Sequence, residues 1–168
     1  MQIKPLRLLT LFGFAGFVLA GCAGSKIKAP ELVVNSTVTE NGEPSHITVQ
    51  HILIGFQGSL RGKNVTRSRE EAQQLALELL GRARSGEDFA TLVEQYTDDS
   101  PPGIYHMANF GQPSDTSTQD PSKDVNPRQG MVPAFGNTGF PLKVGEIGMS
   151  QHDPRTSPFG WHIVKRLR

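Results

Sequence analysis

A single cysteine stands in the chain of 168 residues, so no disulfide can close within it and no Cys-rich zinc cluster can form. Neither sign of charge is in excess, since 17 Lys and Arg face 16 Asp and Glu. That balance lacks the basic footprint that a phosphate backbone selects and argues against a nucleic-acid partner. The five histidines, at 46, 51, 106, 152 and 162, keep no zinc-like spacing, so no metal and no cofactor is implied. No hydrolase elbow surrounds Ser100. Long hydrophobic runs are missing too: the apolar stretch at 8–20 is short for a membrane span but has the length of a signal-peptide core.

What that stretch is attached to carries more information. Lys4 and Arg7 precede it, and it ends in Leu19-Ala20-Gly21-Cys22, which matches the bacterial lipobox. Residues 1–21 are therefore expected to be a lipoprotein signal peptide, with Cys22 as the lipidated residue. An ordinary secretory signal or an uncleaved anchor are the alternatives. Two or more acyl chains on Cys22 would hold the protein stably at a bilayer, where one would be marginal. Ala23 is not the Asp that retains some lipoproteins at the inner membrane, which favours the periplasmic face of an outer membrane in an organism that has one. Residues 22–46 then read as a tether, small-residue-rich at first, with a possible short strand at 32–39 and a turn signal at Asn41-Gly42.

About 145 residues remain for folded structure, enough for one domain. The 18 Gly and 12 Pro predict long loops. Residues 47–54 are rich in β-branched side chains and predict a strand. Ser68 stands three residues before Glu71, a capping box, and Ala72, Leu75, Ala76, Leu79 and Ala83 follow as one helical stripe closed by Ser85-Gly86. Asp88 can cap a second helix that buries Phe89, Leu92, Val93 and Tyr96 and stops before Pro101-Pro102. Residues 101–130 read as a long polar loop, of which 111–128 is expected to lie outside the packed core. A short helix at 131–140 and strands at 146–151 and 159–167 complete an α+β domain with a small antiparallel sheet surrounded by helices.

The order of short motifs resembles the parvulin family of peptidyl-prolyl cis–trans isomerases. His51-Ile52-Leu53 is similar to the family's opening strand. Gly86-Glu87-Asp88-Phe89-Ala90-Thr91-Leu92 is similar to its helix junction, and Tyr96-Thr97-Asp98 to its Tyr-Ser-Asp turn. Met131-Val132-Pro133-Ala134-Phe135 resembles the pocket segment. Phe140-Pro141-Leu142 with Gly145-Glu146 follows it, and Phe159-Gly160-Trp161-His162-Ile163-Val164 closes the domain. The resemblance runs over 47–168, with an insertion at about 103–130 where the family has a shorter Gly-Gly-Asp-Leu-Gly segment.

The resemblance implies where the chemistry sits. Met131 and Phe135 would hold the proline ring, and Met107 and Phe110 are the two candidates for the leucine that the departing segment lacks. His51 and His162 would form a hydrogen-bonded pair beneath the ring, either as catalytic groups or as a structural network. Asp99 falls where the family places a Cys or Asp facing the amide; Asp98 reads as a helix-end or turn residue. The phosphate-directed members carry basic residues directly after the first strand. Here Gly55-Phe56-Gln57 follows instead, so no phosphoserine specificity is implied.

The expected activity is therefore prolyl isomerisation of unfolded or partly folded exported polypeptides containing proline, by a membrane-held enzyme of the cell envelope. Its rival is a non-catalytic chaperone that uses the same groove to bind peptides. A structural envelope lipoprotein with relict histidines is a third reading.

Overall fold

The computed structural model of the chain describes residues 38–40, 42–118, 120 and 122–168. The signal-peptide and Cys22 lipidation readings, and residues 32–37 of the possible strand at 32–39, lie outside the described residues. Five strands and three helices follow one another as β1 (His46–Ile54), α1 (Arg69–Arg84), α2 (Phe89–Tyr96), β2 (Ile104–Ala108), β3 (Val125–Pro127), α3 (Pro133–Gly139), β4 (Ile147–Ser150) and β5 (Trp161–Arg166).

The sheet order is β3-β2-β1-β5-β4. β1 pairs antiparallel with both β2 and β5, and β5 with β4. The expected antiparallel sheet is extended at one edge by β3, which runs parallel to β2 and makes the whole mixed.

Side chains alternate across a strand, so the sheet divides its residues between two cores. Ile52, Ile54, Trp161 and Ile163 meet the apolar stripe of α1 and the buried face of α2. Ile47, Val49, Met107 and Val164 meet Phe135, Phe140 and Leu142 on the opposite face, beside α3. His51 shares the parity of Val49, and His162 that of Val164, which puts both imidazoles on the α3 face.

Local signals set the helix ends. Ser68 accepts from the Glu71 amide while the Glu71 carboxylate accepts from the Ser68 amide, the reciprocal capping box expected there. Asp88 caps α2 by accepting from the Thr91 amide and hydroxyl.

The stretch at 101–130 needs correcting. It is not one irregular loop, because Ile104–Ala108 and Val125–Pro127 are strands, and the expectation that 111–128 lies outside the packed core fails at its end, where Arg128 is buried. Tyr105 and Met107 share one face of β2 and face the second core. Arg128 donates to Glu43, to Asn109 Oδ1 (2.9 Å) and to Asn137 Oδ1 (2.9 Å), and its guanidinium lies over the Phe110 and Phe140 rings. The connection between β2 and β3 thus runs over 109–124.

The end of the expected tether is also packed on the domain. Val38 bridges Pro44, the Asn109 amide donates to Ser45 O (2.8 Å), and Glu43 receives Arg128. Among the described residues no helix is long and apolar enough to cross a membrane.

Candidate active site

β1, β2 and β5 bring three polar rings to one spot on the α3 face. The register sets Leu53 opposite His162 and Val164 opposite His51, so the two imidazoles sit on neighbouring strands, offset by one pleat. Their rings stack at 5.6 Å with 15° between planes, and their Nδ1 atoms are 3.4 Å apart. His51 Nε2 lies 3.0 Å from Asp99 Oδ2.

The backbone that presents these groups is tightly specified. Leu53 N donates to Thr97 Oγ1, Asp98 N donates to Leu53 O, and Gly55 N donates to the Asp98 carboxylate at 2.8 Å. Arg67 also donates to Asp98, and Lys63 to its carbonyl. Asp98 is therefore a turn residue, as its position after α2 suggested, and a latch between the turn and the loop after β1. With Asp98 held, Asp99 is delivered to His51.

On the other side His51 N donates to Gly103 O at 2.9 Å. Gly103 has φ +64°, and a Cβ there would meet His51 O at 2.6 Å, so the approach requires glycine. Gly160 plays the same part before β5: its φ is +139°, and a Cβ would stand 2.1 Å from Ile54 O.

Protonation follows from these contacts. Burial pushes the His162 imidazole down to about 3, with the charge of His51 adding to the effect and that of Asp99 opposing it. The hydrogen bonds from His51, foremost, and from Tyr105 hold the Asp99 carboxyl well below the usual carboxylate range, against the effect of its partial burial. One proton per ring satisfies every contact if His51 donates from Nε2 to Asp99 and accepts at Nδ1 from His162 Nδ1–H. His162 Nε2 is then a bare acceptor, and it has no hydrogen-bond partner among the described residues.

A cavity of about 260 Å³ opens above this relay. Met131, Val132 and Phe135 form one wall, Leu53, Leu60 and Phe159 another, and His51, Asp99, Tyr105 and His162 its polar side. A wider groove of about 570 Å³ lies between α1 and β4, away from this relay.

Of the residues expected from sequence, His51, Asp99, His162, Met131 and Phe135 converge on the cavity. Met107 and Phe110 do not line it. Met107 is wholly buried in the second core, because its parity on β2 points it under α3. Phe110 lies beyond the end of β2, where it is 57% exposed and covers Arg128. The place sought for them is taken by Tyr105, whose hydroxyl donates to Asp99 Oδ2 at 2.9 Å. Leu60 and Phe159 were missed as well. Leu60 lies in the loop after β1 and Phe159 just ahead of the observed start of β5, and the closure of these two segments, through Ser59 Oγ donating to Phe159 O, puts them together. No group of three or more His, Cys, Asp or Glu that could hold a metal occurs among the described residues.

Comparison with known proteins bears on the family and the fold. The family model of the PPIC-type PPIASE domain matches residues 33–167. Chaperone SurA of Chromohalobacter salexigens is 33% identical over 129 residues, covering 76% of this chain and 22% of its own length. Foldase protein PrsA 4 of Bacillus cereus is 27% identical over 139 residues, covering 80% of this chain and 38% of its own. The chain thus spans about a fifth to two fifths of the length of these relatives. Among solved structures, the peptidyl-prolyl isomerase ESS1 from Candida albicans superposes with a TM-score of 0.55 at 23% identity, covering 79% of this chain and 66% of its own. TbPIN1 gives 0.53 at 22% identity, with 74% and 98% covered. At those identities the structural likeness speaks for the fold, while the family match speaks for the sequence: the chain belongs to the PPIC-type peptidyl-prolyl isomerase domain family, the parvulins.

Proposed function

We propose that this chain catalyses cis–trans isomerisation of X–Pro bonds in unfolded or partly folded exported polypeptides, from a position at the cell envelope. One observation carries the reading: an apolar cavity sized for a small ring lies directly over a carboxylate–imidazole–imidazole relay.

The chemistry asked of such a site is modest. Turning the bond breaks amide resonance, a barrier of roughly 18–20 kcal/mol, and needs no covalent step. The twisted amide is less polar than the planar one, so a cavity that strips water from it favours the twisted form. Met131 and Phe135 grip the ring, and Asp99 sets a fixed negative charge beside the amide that disfavours the planar ground state. His51 and His162 hold that carboxylate in place, being themselves locked between Phe135 and the sheet. A lowering of about 4 kcal/mol would give on the order of a thousandfold acceleration.

The proposed organisation has a signal peptide at 1–21, lipidation at Cys22, and a tether leading to the isomerase domain. The curated relatives are named as a chaperone and a foldase, which supports action on polypeptides rather than small molecules. The same names, and relatives several times longer than this chain, support the second reading, a groove that binds peptides without turning them. Exchange spectroscopy by NMR on short X–Pro peptides separates the two, because uncatalysed exchange takes tens to hundreds of seconds. Catalysis appears as faster exchange at substoichiometric protein. Binding with unchanged exchange would establish the chaperone reading instead.

A further inference from the structure

Two donors from different strands converge on one oxygen of Asp99. His51 Nε2 on β1 is 3.0 Å from Oδ2, and the Tyr105 hydroxyl on β2 is 2.9 Å from the same atom. The Tyr105 ring stands edge-on to His51 at 5.1 Å and to Phe135 at 5.6 Å, and it forms part of the cavity wall. One side chain therefore touches the carboxylate, the imidazole and the ring-binding phenyl. Resting on the isomerase reading above, we propose that Tyr105 is the positioning residue of this site, its hydroxyl fixing the Asp99 carboxylate and its ring closing the proline pocket.

The two functions are chemically separable. A carboxylate 32% exposed at the cavity edge can rotate about its χ2 unless both donors hold it. His51 alone fixes one direction, whereas a second donor from the neighbouring strand fixes the plane. A phenol serves this better than a second imidazole would, because it keeps its proton throughout the physiological range. Burial first, and then the Asp99 charge, push the Tyr105 hydroxyl up to about 12. The other ionisable groups near Asp99 are engaged elsewhere: His162 on β5 faces His51, while Lys63 and Arg67 from the loop after β1 bind the neighbouring Asp98.

The test uses two substitutions and one titration. Tyr105→Phe keeps the ring and removes the hydroxyl, so the isomerisation kcat should fall about tenfold, as for a lost hydrogen bond to a charged group, with KM unchanged. Tyr105→Leu removes the edge contacts as well, and KM should rise several-fold in addition. Wild-type kcat and KM in both variants would overturn the proposal. A readout independent of catalysis comes from 13C-labelled tyrosine, since the chain has only two, Tyr96 and Tyr105. In Asp99→Asn the Tyr105 resonance should titrate at lower pH than in the wild type. An unmoved Tyr105 titration would show that no hydroxyl–carboxylate bond exists, whatever the activity. A moved titration in a protein without isomerase activity would leave the contact standing and remove the isomerase reading alone.

Discussion

A neutral imidazole buried at position 162 makes stability depend on pH in a definite direction. Its folded value, about 3, lies below the roughly 6.5 of an unfolded histidine. Between those values the unfolded chain binds the extra proton, so stability is full above about 6.5 and declines as the pH falls toward 3. The wild type should lose on the order of 2 kcal/mol between pH 7 and pH 4.5 from this group. His162→Gln should be less stable at pH 7 yet lose less over that interval, as measured by urea unfolding at both values. Equal losses would mean that the ring is already charged or exposed in the folded protein. Asp99 acts in a lower window: its depressed carboxyl adds stability that is present above about 3.9 and disappears as the pH falls further.

One buried cation ties several elements together alongside the apolar packing. Arg128, in the turn after β3, bonds to Glu43 before β1, to Asn109 after β2 and to Asn137 on α3, and Gly136 gives it room by lacking a Cβ. Because α3 carries Phe135, this junction also sets one wall of the cavity. Arg128→Ala removes the cation paired with Glu43 and the donor to Asn109 and Asn137, and should cost about 3 kcal/mol in urea unfolding, as breaking a buried ion pair does. A cost below about 1 kcal/mol would place Arg128 among surface pairs. The helices and the first and last strands were legible in the sequence because their signals are local: a capping box, a stripe at 3.6 spacing, a β-branched run. β2, β3 and the Arg128 junction were not, because each is defined by partners tens of residues away. The site divides on the same line. His51, Asp99, His162, Met131 and Phe135 sit in motifs that can be read in order. Tyr105 could have been found from its parity with Met107, whereas Leu60 and Phe159 become neighbours only when two loops close.

For the whole molecule the proposal is a lipid anchor at Cys22. The lipobox-like run predicts that mass spectrometry of the mature protein from its native host finds an acylated N-terminal Cys22, and that Cys22→Ser leaves unprocessed precursor in the cell. A mature N-terminus elsewhere, with Cys22 unmodified, would contradict the anchor. The domain itself reaches further back than 47, since Glu43 and Ser45 are packed against it, so a soluble version should begin ahead of Val38 rather than at the first strand. The central claim is that the cavity and the carboxylate beneath it turn X–Pro bonds. It is tested most directly by NMR exchange rates on one X–Pro peptide with the wild type, Asp99→Ala and Phe135→Ala, each shown to be folded by circular dichroism. The account predicts fast exchange with the wild type and a drop of at least about tenfold in each variant, from lost charge in one and an opened pocket in the other. Exchange in the presence of folded wild type that is no faster than in buffer would contradict it.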